Sequence, residues 1–104
     1  MVKSASAEPS VLAPGLPTVA AAGVPGYEAT GITGMFALAR TPAAIVNRMS
    51  QEVVRALNLP DLKDRFFNAG VETIGSTPEE YTARMKSETA RMGKVIRDAG
   101  IKTD

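Results

Sequence analysis

The chemistry open to this chain is set first by what it lacks. Its 104 residues include no His and no Cys. The imidazole base, the commonest metal ligand, the thiolate nucleophile and a disulfide framework are therefore all excluded. Catalysis would have to rest on carboxylates, hydroxyls or lysines. Glu79 and Glu80 are adjacent, but they follow Thr77-Pro78 in what reads as the first turn of a helix, where negative charge favours the dipole. Asp61 and Asp64 carry the same reading for a shorter helix. Ser87 directly follows Lys86, and neighbours on a helix face different sides, so no Ser–Lys dyad is expected. Gly31-Ile32-Thr33-Gly34 is not G-x-G-x-x-G and opens no helix, which leaves a dinucleotide loop unsupported. No enzyme, no metal site and no cofactor are expected.

The basic residues Arg84, Lys86, Arg91, Lys94 and Arg97 look like a patch in one dimension. Yet Glu80–Arg84, Glu88–Arg91 and Lys94–Asp98 fall at helical pair spacings, so the set reads as a solvated face. The formal net charge is only +1, from 12 basic and 11 acidic residues. A phosphate-binding surface shows a clustered basic excess, so nucleic acid is not the expected partner. More suggestive is Tyr27, just after Pro25-Gly26 and before the polar pair Glu28 and Thr30. Tyr27 reads as a core-edge tyrosine first and a ligand contact second.

The elements that must position these groups divide near Arg40. Residues 1–41 hold four charges (Lys3, Glu8, Glu28 and Arg40), four of the seven prolines and five of the nine glycines. Residues 42–104 hold the other nineteen charges at helical spacing. The first part reads as extended chain and turns. Leu16–Gly23 suggests a brief helical turn, Val24-Pro25-Gly26 a type II turn, and Ile32–Leu38 a strand buried on both faces.

The second part is well punctuated. Thr41 is placed to cap and Pro42 to open a helix whose apolar stripe is Ile45, Val46, Met49, Val53 and Leu57. Asn58-Leu59-Pro60 breaks it, and a shorter helix with Leu62, Phe66 and Phe67 ends at Gly70. Val71–Gly75 alternates apolar and polar and predicts a short strand. Thr77-Pro78-Glu79-Glu80 is a capping-box start for a long helix ending at Gly100. Gly93 inside that helix implies a close backbone approach or a bend.

Several of these segments together resemble one family. They are Leu16–Glu28, Gly34-Met35-Phe36-Ala37, Thr41–Val46, Gly75–Tyr81 and Lys94–Ile101, in that order. The chain is similar to the C-terminal part of the Bug-type receptors, periplasmic solute-binding proteins of tripartite tricarboxylate transporters, over roughly residues 10 to 104. The resemblance implies an α/β fold (α+β in isolation), the C-terminal fragment of a type II periplasmic-binding-protein fold with three helices covering a small sheet. It implies that residues 1–30 come from the second lobe and hinge, and that residues 31–104 form a helix-rich α/β subdomain on the first lobe. It also implies a small carboxylate solute and membrane transporter subunits as partners, with Tyr27, Glu28 and Thr30 on the wall of the ligand cleft.

The chain departs from the family pattern at Ile32 and near Met92, where a Trp is usual, and at Ala21, where a Glu is usual. Leu38-Ala39-Arg40 also stands where the family has Pro-Ala-Gly. The loops that grip the solute have no counterpart here, so the chain alone is expected to bind weakly or not at all. The rival expectation is a stand-alone interaction module that self-associates, as a homo-oligomer, through uncovered apolar surface. The uncharged stretch Ala29–Ala39 contains two glycines and falls short of the ~20 apolar residues that cross a bilayer. The resemblance places the protein in the periplasm. No signal peptide follows Met1-Val2-Lys3, so as a complete reading frame the chain would be cytoplasmic.

Overall fold

The computed structural model describes Ser4 and residues 6–103. Three helices make up the regular structure of these residues: α1 (Ala43–Leu57), α2 (Pro60–Asn68) and α3 (Pro78–Asp98). The expected α/β architecture is overturned, because the described residues contain no strand and no sheet. Their one β contact is an isolated parallel bridge between Ser4 and Thr18. In it Ser4 N–H donates to the Pro17 carbonyl and Val19 N–H to the Ser4 carbonyl, both at 2.9 Å.

Both predicted strands fail for identifiable reasons. A strand buried on both faces needs neighbours to cover it. Along Ile32–Leu38 every residue is exposed, with Phe36 at 71% and Leu38 at 87%. Val71–Gly75 is claimed by other contacts. Val71 N–H donates back to the Phe66 carbonyl at 2.9 Å, the Glu72 carboxylate accepts from the Ser10 hydroxyl, and Gly75 lies against Val54.

The chain forms two compact units. One comprises Met1–Phe36 with Leu57–Ile74, the other Ala37–Ala56 with Gly75–Asp104. In the first unit Thr18 is the buried residue, only 4% exposed, and its Oγ1 accepts from Ala21 N–H at 3.0 Å. Ala22 N–H donates to the Thr18 carbonyl, and Gly23 ends this helical turn at φ 129°. Gly26 then adopts φ 80° while Tyr27 N–H closes on the Val24 carbonyl at 3.2 Å, as a type II turn requires.

Helix α2 begins without a side-chain cap, and Pro60 at its start dispenses with one N–H. It ends in a Schellman motif. Gly70 sits at φ 76°, Gly70 N–H reaches the Phe67 carbonyl, and Val71 N–H reaches that of Phe66. Only Asp61 stands in its first turn; Asp64 lies one turn further on.

In the second unit the expected Thr41 cap is not made. Its hydroxyl donates to the Leu38 carbonyl at 2.7 Å, and the Pro42 carbonyl accepts from Ile45 and Val46 instead. Arg40 adopts φ 69°, a left-handed conformation that costs a residue bearing Cβ about 1 kcal/mol or more. Helix α3 opens on the expected capping box. Glu80 N–H donates to Thr77 Oγ1 and Thr77 N–H to Glu80 Oε2, each at 3.1 Å. Arg84 lies 3.6 Å from Glu88, and Arg91 joins it there at 2.7 Å. A second Schellman ending uses Gly100, with Ile101 N–H on the Ile96 carbonyl at 3.1 Å.

The close backbone approach expected at Gly93 is not seen. Helix α3 runs unbroken through it, and an added Cβ would meet only the Arg97 guanidinium, at 3.3 Å. Gly93→Ala should therefore stabilise α3 by about 1 kcal/mol, and Thr77→Ala should destabilise it by a similar amount. Far-UV circular dichroism should show helicity rising in the first variant and falling in the second. Arg40→Gly should relieve the left-handed strain, read as slower hydrogen exchange at the Thr41 N–H that closes this turn.

Candidate functional site

The expected site residues share one loop of the first unit. Tyr27 is 42% exposed just past the turn that Gly26 makes possible. Glu28 and Thr30 are half-buried, and the Thr30 hydroxyl donates to Glu28 Oε1 at 3.3 Å. The structure thus joins Thr30 to Glu28 and leaves Tyr27 beside them in sequence. None of the three lines either of the two hollows described next.

The first hollow is an open cleft of about 300 Å³ within the first unit. Val11, Phe67 and Val71 supply apolar wall; Lys63, Asp64, Glu72 and Thr73 supply polar groups. Helix α2 presents Lys63, Asp64 and Phe67 on adjoining positions. The segment after its Schellman ending turns Val71, Glu72 and Thr73 toward them. Ser10 fastens the N-terminal segment here by donating its hydroxyl to Glu72 Oε1. One ammonium against two carboxylates leaves the cleft net negative, the wrong sign for an anionic solute. Sequence reasoning missed Lys63, Glu72 and Thr73. Ser10 and Glu72 lie 62 positions apart, and no local pattern announces that pairing.

The second hollow runs along the start of α3 past Pro78, Glu79, Thr82, Ala83 and Lys86. It lies on one helix face and is more open still. The Thr82 hydroxyl donates to the Pro78 carbonyl at 2.7 Å. Across the described residues, hydroxyls at Ser6, Ser10, Thr30, Thr41 and Thr82 all donate within the chain. No three carboxylates, or other metal-binding groups, converge among them. Among the described residues no helix is long and apolar enough to cross a membrane.

Comparison with known proteins finds a family match over residues 3–101, to the family described as the tripartite tricarboxylate transporter family receptor. The chain is also 39% identical over 62 residues to the UPF0065 protein in the tcbD-tcbE intergenic region of Pseudomonas sp. (strain P51). That alignment takes in 60% of this chain and 18% of the relative. No solved structure matches.

The Ser10–Glu72 bond ties chain segments far apart in sequence, so its removal should loosen the cleft. Glu72→Ala should speed hydrogen exchange at the Leu12 and Ala13 N–H groups several-fold. Unchanged rates would show that Ser10 does not depend on that carboxylate.

Proposed function

The chain belongs to the tripartite tricarboxylate transporter receptor family, and from that premise we propose that it is a non-catalytic, C-terminal portion of a periplasmic solute receptor. The whole receptor captures a small carboxylate, either a dicarboxylate, a tricarboxylate or an amino acid, and passes it to membrane transporter subunits. In this reading residues 1–30 derive from the second lobe and hinge, and residues 31–104 from the first lobe. The observation that carries it is the family match over residues 3–101, beside a relative of which the aligned stretch makes up only 18%.

Carboxylate capture without a metal needs N–H and O–H donors converging on one point, since the anion offers only acceptors. In this reading Tyr27, partly exposed and next in sequence to the hydrogen-bonded Glu28 and Thr30, is a donor on the wall of the whole receptor's ligand cleft. Two features favour a portion that does not bind solute by itself. The enclosed donor set is missing among the described residues, and the cleft beside α2 carries an acidic excess.

Isothermal titration of the chain with citrate, succinate, glutamate and nicotinate should give no heat of binding at micromolar concentrations. A micromolar response to any of them would overturn the claim that this portion is incompetent alone.

A further inference from the structure

We draw no further inference here: the strongest candidate, the open cleft beside α2 walled by Val11, Phe67 and Val71, has only exposed charged side chains at Lys63, Asp64 and Glu72, and nothing in the structure shows what covers it.

Discussion

Water reaches every apolar side chain that the structure describes, and this shortage of burial governs the rest of the molecule. Thr18 is the buried residue; no hydrophobic residue joins it. A fully buried Leu or Ile contributes about 1.5–3 kcal/mol, whereas fixing one residue's backbone costs about 1–2 kcal/mol. Half-buried side chains such as Val53, Leu62 and Met85 supply only part of that gain.

Helices so placed depend on their ends. Isolated helices shorter than about 12–15 residues are marginal in water. Helix α2 has 9 residues and α1 has 15. The Thr77–Glu80 capping box and the Schellman endings at Gly70 and Gly100 satisfy backbone groups that would otherwise compete for water. The exposed ion pair Arg48–Glu52 adds a few tenths of a kcal/mol, and Arg91 meets a half-buried Glu88. Hydroxyls at Ser6, Thr41 and Thr82 turn to backbone carbonyls, and those at Ser10 and Thr30 turn to carboxylates.

What the sequence made legible is what local chemistry decides. Thr77-Pro78-Glu79-Glu80 prescribes a helix start because the reciprocal bonds lie three residues apart. The helix stops at Gly70 and Gly100 follow from residues that take positive φ without strain. The strands at Ile32–Leu38 and Val71–Gly75 were misread because β propensity measures fit to a covered surface, and no such surface is present among the described residues. Thr41 was misread as a cap because its hydroxyl has a nearer carbonyl, that of Leu38, across the turn that Arg40 makes at positive φ. The Tyr27–Thr30 loop was located by its turn residues. The cleft beside α2 was not, since it depends on Ser10 meeting Glu72 across most of the chain.

Differential scanning calorimetry reaches the central claim most directly, because cooperativity reports a shared core. A chain held by its helix ends should lose helicity gradually on heating, with no heat-absorption peak. A single sharp transition carrying an enthalpy near the ~70 kcal/mol typical of a folded domain of this length would contradict it.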